Sequence, residues 1–225
     1  MSSPGKEDVW ANELRRNWLL FPDDRLVALT RRRYPSIEPA GSATALDVGF
    51  GSGRHIRFLM DLGFKTSGCE VIPAATETVR RLFGNDPLLA DVVTSDIVDV
   101  PFQSTSFDIV VAWGSIFLCS LDEMRAQLHT VMRLLKPGGS LVVNFRRPES
   151  WFSSKGEKQG NGTVRLNASA GSYADCIYTF LTTAAAIALL ESIGFVIADQ
   201  EVVDLYQGLE RQRHSWALFR AEKPT

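Results

Sequence analysis

The sequence DVGFGSGR occupies residues 47–54. The apolar run before the first glycine, ALDV, favours a buried strand, and RHIRFLMDL at 54–62 has the spacing of an amphipathic helix. Three glycines, Gly49, Gly51 and Gly53, stand at alternate positions in the turn between these elements. Glycine adopts positive φ without strain and has no Cβ, so this turn lets the backbone come very close to another group or molecule.

The spacing of the glycines distinguishes this turn from two common nucleotide-binding motifs. A dinucleotide-binding turn reads G-x-G-x-x-G, which would place its third glycine at position 54, where this chain has Arg54. A Walker A phosphate loop ends in Gly-Lys followed by Ser or Thr, and no such sequence follows here. The pattern is therefore G-x-G-x-G, with Asp47 two positions before the first glycine.

Strands and helices alternate along most of the chain. Strands are predicted at 43–49, 64–70, 89–96, 107–113 and 140–145, with helices at 54–63, 73–84 and 121–135 between them. This alternation predicts βαβ units and a parallel sheet with helices on both faces, an α/β Rossmann-like three-layer sandwich. A helix at 182–194 and strands at 195–203 and 215–222 follow, and the polar link between the two strands predicts an antiparallel hairpin at one sheet edge.

Two regions lie outside this alternation. Near the start, Trp10, Leu14 and Trp18 recur every fourth residue and predict one face of an amphipathic helix, and Asp23-Asp24 begins a second helix that the basic run Arg31-Arg32-Arg33 closes. Residues 146–180 combine Gly, Ser, Asn and Lys with scattered aromatic residues, a composition typical of a mobile segment. We interpret 1–225 as one domain, with an N-terminal helical cap (1–40), a cofactor-binding core (41–145), a substrate lid insert (146–180) and a C-terminal helix and hairpin (181–225).

Composition restricts the class of protein. The chain has 225 residues, 45% of them hydrophobic, and a net charge of −2, so it suits one globular domain and offers no general attraction to nucleic acid or an anionic membrane. Its three cysteines form neither a disulfide framework nor a CxxC motif, and no metal site is expected. The longest uncharged apolar stretch, Ile109–Leu121, is too short to span a bilayer, and no signal peptide is visible. We expect a cytoplasmic protein, monomeric or homodimeric, without membrane or nucleic-acid partners.

The motifs together resemble those of class I S-adenosylmethionine-dependent methyltransferases of the small-molecule type. ALDVGFGSGRHI is similar to motif I of that family. Four further segments match in order: GCE at the end of the second strand, SDIVDVPF, FDIVVAW, and RLLKPGGSLVV. Phe50 and Ser95 depart from the residues common at their positions. The resemblance covers residues 40–145 strongly and 180–222 loosely, and it implies a seven-stranded sheet of order 3-2-1-4-5-7-6 with strand 7 antiparallel.

The resemblance also implies which residues bind the cofactor S-adenosyl-L-methionine and its product S-adenosyl-L-homocysteine. Glu70 falls on the acidic residue that accepts hydrogen bonds from both ribose hydroxyls, and Asp96 on the residue that receives the adenine amino group. Trp113 either lines the cofactor pocket or packs in the core. The full set of expected cofactor-binding residues is Asp47, Gly49, Phe50, Gly51, Gly53, Glu70, Val71, Asp96, Ile97 and Trp113.

The reaction expected from this resemblance is transfer of a methyl group to an oxygen or nitrogen of a small-molecule metabolite. The sequence assigns no catalytic base: the candidates by position are His55, His129, His214, Asp122, Glu149 and Tyr173. AWGSIF follows the fourth strand in place of the Asn/Asp-Pro-Pro-Tyr/Phe tetrapeptide of many nucleic-acid methyltransferases, which favours a small acceptor. Two alternatives remain open, an NAD-dependent oxidoreductase and a catalytically inactive protein that keeps the fold as a binding module.

Overall fold

The computed structural model describes residues 6–16, 18–209 and 211–225. Seven strands form its central sheet: β1 (Thr44–Val48), β2 (Lys65–Glu70), β3 (Leu89–Thr94), β4 (Phe107–Ala112), β5 (Leu135–Arg146), β9 (Val196–Gln207) and β10 (Gln212–Glu222). Their order is β3-β2-β1-β4-β5-β10-β9. The first five are parallel, and β10 runs antiparallel to both β5 and β9. The predicted fold class is confirmed, with β9 and β10 as its sixth and seventh strands.

Helices cover both faces of this sheet. They are α1 (Lys6–Arg16), α2 (Asp24–Arg33), α3 (Arg54–Asp61), α4 (Pro73–Phe83), α5 (Leu121–Leu134) and α6 (Thr183–Ile193). Apolar residues of α2 and α3 pack on one face of the sheet, and those of α5 and α6 pack on the other. The inner strands β1, β4 and β5 are mostly buried between these helices, and their central residues are largely apolar.

The second helix begins and ends where the charge pattern predicts. The Asp23 side chain accepts hydrogen bonds from the backbone N–H groups of Arg25 and Leu26, which caps the N-terminus of α2. The three arginines lie in its last turn. Arg32 pairs there with Asp199 and Glu201 of β9, at N–O distances of 3.3 and 2.6 Å. The basic run therefore contacts the sheet edge of this same chain.

Three details differ from the sequence prediction. The insert (residues 146–180) contains a second, antiparallel sheet of order β6-β7-β8, built from β6 (Gly156–Gly160), β7 (Thr163–Leu166) and β8 (Ile177–Thr179). These strands are short and β6 is mostly exposed, so they leave no alternating pattern. The KPGG segment lies within β5, at a shift of its register against β4. Trp18 lies beyond the end of α1.

No helix in the parts of the chain that the structure describes is long and apolar enough to cross a bilayer.

Candidate functional site

The glycine turn (residues 49–53) joins β1 to α3. All three of its glycines have positive φ, at 68°, 51° and 78°. A Cβ added to Gly49 would lie 2.6 Å from the Ser115 Cβ, and one added to Gly53 would lie 2.7 Å from a methyl carbon of Val79. A Cβ at Gly51 would lie 3.1 Å from Leu14 of α1. The turn therefore needs glycine both for its backbone conformation and for its close packing.

Glu70, the last residue of β2, fixes the position of this turn. Its Oε2 accepts a hydrogen bond from the Gly51 N–H at 2.9 Å, and its Oε1 accepts from the N–H groups of Val71 and Ile72 at 2.8 and 3.1 Å. Burial raises the pKa of Glu70, and the three N–H donors oppose this shift. A carboxylate accepts about four hydrogen bonds, so Oε2 keeps one acceptor position for a further donor.

Asp47 lies behind the glycine turn. Its side chain is buried, and its Oδ2 has no hydrogen-bond partner among the described residues. Burial raises the pKa of Asp47 to about 8, against the opposing effects of the Arg54 charge and the Ile56 N–H. Neither Asp47 nor Gly53 lines the cavity next to the turn. Their assignment as cofactor-binding residues stays a prediction.

The main cavity opens beyond the C-terminal ends of β1, β2 and β4 and has a volume of about 340 Å³. This volume is within the range of small-molecule sites, and the position is where α/β sheets bind ligands. The structure brings together here eight of the ten residues expected to bind the cofactor: Gly49, Phe50, Gly51, Glu70, Val71, Asp96, Ile97 and Trp113.

Two of these residues combine a structural contact with a place in the cavity wall. Asp96 caps a short 3₁₀ helix, because its Oδ1 accepts a hydrogen bond from the Val98 N–H at 3.1 Å. Trp113 is buried and packs in the core cluster that includes residues of α2 and α3. Trp113 therefore both lines the cavity and packs in the core, and its contact with a cofactor stays a prediction.

A second wall of the main cavity lies outside the glycine turn and the strand ends. Trp10 and Leu14 of α1 line it together with Leu19, and Leu118, Cys119 and Gln127 line it from the segment that follows β4. The sequence predicted an N-terminal helical cap, and α1 lies at this wall; its role as a cap stays a prediction. Sequence reasoning missed the three residues after β4, because nothing in their sequence marks them as cavity-lining.

The candidate bases do not converge on one point of the main cavity. His55 lines the cavity, but its Nε2 accepts a hydrogen bond from the Asp23 N–H at 3.5 Å, and burial lowers its pKa to about 3. His129 and Asp122 are exposed on α5. Glu149 pairs with Arg147 at 3.1 Å.

The other two candidates are Tyr173, which lies in the insert, and His214, which lies beside the start of the insert. The Tyr173 hydroxyl donates a hydrogen bond to the Glu13 Oε1 at 2.7 Å, and burial raises the pKa of Tyr173. His214 lies on β10, where its Nδ1 is 3.3 Å from the Arg146 Nη1. No catalytic residue is assigned. Within the described ranges, no three His, Cys, Asp or Glu side chains are grouped so that they could hold a metal ion.

Comparison with known proteins places this site in a family. Residues 46–143, which include the glycine turn, Glu70 and Asp96, match the family model described as a methyltransferase domain. This segment, somewhat less than half of the chain, is similar to a methyltransferase domain. The match confirms the resemblance inferred from the sequence motifs, and S-adenosyl-L-methionine is the cofactor of that family.

Individual relatives agree with this placement. The chain is 31% identical over 148 residues to a demethylmenaquinone methyltransferase of Clavibacter sepedonicus, covering 62% of this chain and 58% of the relative. It is 26% identical to a probable tRNA methyltransferase 9B of Mus musculus, covering 50% of this chain and 23% of the relative. The chain thus spans little more than half the length of the first of these relatives.

A solved structure shows the same fold. A SAM-dependent methyltransferase of Methanosarcina mazei superposes with a TM-score of 0.69 at 18% identity, over 84% of this chain and 99% of the other.

The Gly51 position gives a direct test of the main cavity. A leucine there would have to displace Leu14 and would project into the space beside Glu70, so we expect Gly51→Leu to abolish micromolar binding of S-adenosylhomocysteine in titration calorimetry. Gly160→Leu is the matched control, because Gly160 also has positive φ but has open space around it. Unchanged affinity in a folded Gly51→Leu protein would contradict this placement of the ligand.

Substitution of Glu70 tests whether this carboxylate contacts the ribose or only stabilises the glycine turn. Glu70 has one acceptor position left, enough for one ribose hydroxyl. Loss of a charged acceptor from a hydroxyl donor costs about 1.5–3 kcal/mol, so Glu70→Ala should weaken S-adenosylhomocysteine at least tenfold. The same substitution should weaken the 2′-deoxy analogue much less, since that ligand lacks one of the donors. Glu70 also accepts a hydrogen bond from the Gly51 N–H. If Glu70→Ala lowers the affinity for both ligands by the same factor, the carboxylate stabilises the turn and does not contact the ribose.

Proposed function

We propose that this protein transfers the methyl group of S-adenosyl-L-methionine to an oxygen or nitrogen atom of a small-molecule acceptor. The observation that carries the proposal is the main cavity, in which a glycine turn, a buried strand-end carboxylate and a second carboxylate share one wall. When bound, S-adenosyl-L-methionine supplies a methyl group already activated by its sulfonium. The release of S-adenosyl-L-homocysteine follows from that chemistry.

The residues of the cavity suit such a ligand. Glu70 keeps an acceptor position for a ribose hydroxyl, and Asp96 stands where an adenine amino group would find an acceptor. Glu13, Glu70 and Asp96 give the wall three carboxylates against one guanidinium, that of Arg54. This balance favours a ligand that carries positive charge, and Arg54 can pair with the carboxylate of an amino acid.

The protein's part in the reaction is to orient the acceptor and to exclude water. His55, the histidine in the cavity wall, is held by a backbone hydrogen bond and has a pKa far below neutral, so it is a weak base. Orientation alone accounts for a large part of the rate enhancement in reactions of this kind, and a base helps only where the acceptor must lose a proton.

Several observations favour a small acceptor over a nucleic acid. A surface that binds phosphates needs unpaired cationic side chains. Here, Arg32, Arg213 and Arg220 are each paired with carboxylates of β9. The net charge of −2 also opposes binding to a polyanion. We therefore attribute the similarity to a probable tRNA methyltransferase to the shared domain and not to a shared substrate.

We further propose that α1 and the insert form a lid over the main cavity. Trp10 packs against Tyr173 and Tyr178, with ring centroids 5.8 and 6.5 Å apart, and Glu13 accepts the Tyr173 hydroxyl. These contacts join the N-terminal helix to the insert directly beside the cavity. A lid of this kind would exclude water from the reacting atoms.

Hydrogen exchange tests the lid. We expect added S-adenosylhomocysteine to slow exchange in residues 8–16 and 148–180 as well as in the glycine turn, because the ligand would hold both segments closed. Slowing confined to the glycine turn would rule the lid out. The exposed end of β9 serves as the internal control, since it lies away from the cavity and should not change.

A methyl-transfer screen tests the proposed activity. The protein is incubated with S-adenosyl-L-methionine labelled in its methyl group and with fractionated small-molecule extracts, and labelled products are identified by mass spectrometry. We expect labelled O- or N-methyl products with the natural chain and none with Gly51→Leu. Label found only in tRNA would contradict the proposed acceptor class, and retention of NAD instead of S-adenosylhomocysteine would favour an oxidoreductase.

A further inference from the structure

Arg146, the last residue of β5, has an unusual environment for a charged side chain. Its guanidinium lies 4.0 Å from the ring centroid of Trp216 and 4.9 Å from that of Phe152, with Phe117 and Tyr178 at 5.5 and 5.6 Å. Burial among these rings lowers the pKa of Arg146 to about 10, which still leaves it charged at neutral pH. The aromatic cluster therefore surrounds a half-buried positive charge whose Nε atom is fully covered.

This charge has no carboxylate partner in the described parts of the chain. The neighbouring Arg147 bonds to Glu149 and to the Ser215 hydroxyl, but the polar contact of Arg146 is with the neutral ring of His214. The Arg146 Nε is buried and makes no hydrogen bond with any described residue. Charges removed from water are normally paired in proteins, because an unpaired charge recovers none of its lost hydration.

His214 adds a second unused donor. A guanidinium can only donate hydrogen bonds, so the His214 Nδ1 must accept from Arg146. A neutral imidazole then carries its proton on Nε2, and that atom is also buried without a partner among the described residues. Burial and the Arg146 charge both lower the pKa of His214, which keeps the ring neutral at pH 7. Two N–H donors thus lie in one cluster and lack an acceptor.

The cluster lies next to the main cavity. Trp10 lines the cavity and stacks on Tyr178 at an interplanar angle of 14°, and the Tyr178 ring is in turn 5.6 Å from the Arg146 guanidinium. One layer of aromatic rings, contributed by α1 and the insert, therefore separates Arg146 from the cavity. Movement of these two segments would open a path from the main cavity to Arg146.

We propose that Arg146 binds a carboxylate group of the methyl acceptor, so that the substrates are small carboxylic acids with an apolar body. This proposal rests on the proposed methyltransferase function. A carboxylate supplies an acceptor for the unused Arg146 Nε–H and neutralises one positive charge. A phosphate dianion would leave excess negative charge among aromatic rings, and a cationic acceptor would be repelled by Arg146. The surrounding rings suit the apolar body.

Matched ligand pairs test the charge preference. Benzoate, phenylacetate and hexanoate are titrated, each beside its neutral amide, into the protein with and without S-adenosylhomocysteine. We expect at least one acid to bind tenfold or more tightly than its amide. Arg146→Gln should remove this preference, while Arg165→Gln, a change at an exposed arginine of β7 in the same insert, should leave it intact.

The outcomes separate the two proposals. If no acid binds more tightly than its amide, if the preference survives Arg146→Gln, or if phenyl phosphate binds more tightly than the acids, the carboxylate site is wrong. Failure of the natural chain to bind S-adenosylhomocysteine would instead count against the proposed methyltransferase function. The affinity for S-adenosylhomocysteine should change less than twofold in Arg146→Gln, since Arg146 does not line the main cavity.

Thermal unfolding of Arg146→Met gives a readout that needs no ligand. An unpaired buried charge that serves binding is kept at a cost in stability, so its replacement by an apolar side chain of similar length should leave the Tm unchanged or raise it. A lowered Tm would show that Arg146 is a structural residue of the aromatic cluster, and would overturn the proposal.

Discussion

The hydrogen bonds of the Glu70 carboxylate hold the site together. A carboxylate removed from water must recover its lost hydrogen bonds from the protein, and Glu70 does so with three backbone N–H groups from the glycine turn and the segment before α4. The Gly49 N–H adds a bond to the Cys69 carbonyl at 2.8 Å. The end of β2 therefore sets the shape of the turn after β1. The rest of the main cavity is arranged around the end of β2 and the glycine turn, at the point where the order of the parallel strands reverses.

The second half of the site comes from regions outside the alternation of strands and helices in the central sheet. Trp10 of α1 and the tyrosines of the insert meet over the cavity, although more than 150 residues of sequence separate them. The core supplies the glycine turn, Glu70 and Asp96, whereas α1 lines the opposite side of the cavity and contacts the insert. Under the proposed function, differences in acceptor shape would be met by changes in these two segments.

The features that the sequence predicted are those with local causes. Strands buried on both faces require continuous apolar runs, and a close turn with positive φ requires glycine, so the central sheet and the glycine turn were visible directly. Glu70 and Asp96 were assigned from the family resemblance. The placement of α1, the strands of the insert and the surroundings of Arg146 depend on contacts between distant segments. Trp18 shows the limit, because it continues the spacing of Trp10 and Leu14 but lies beyond the end of the helix.

A crystal of the protein soaked with S-adenosylhomocysteine would give the sharpest test of where the ligand binds. We expect electron density in the main cavity, with the ribose against Glu70, the adenine near Asp96 and the backbone of Gly51 in contact with the ligand. Density for the ligand at another place, or an empty cavity at saturating ligand with NAD bound there instead, would contradict it.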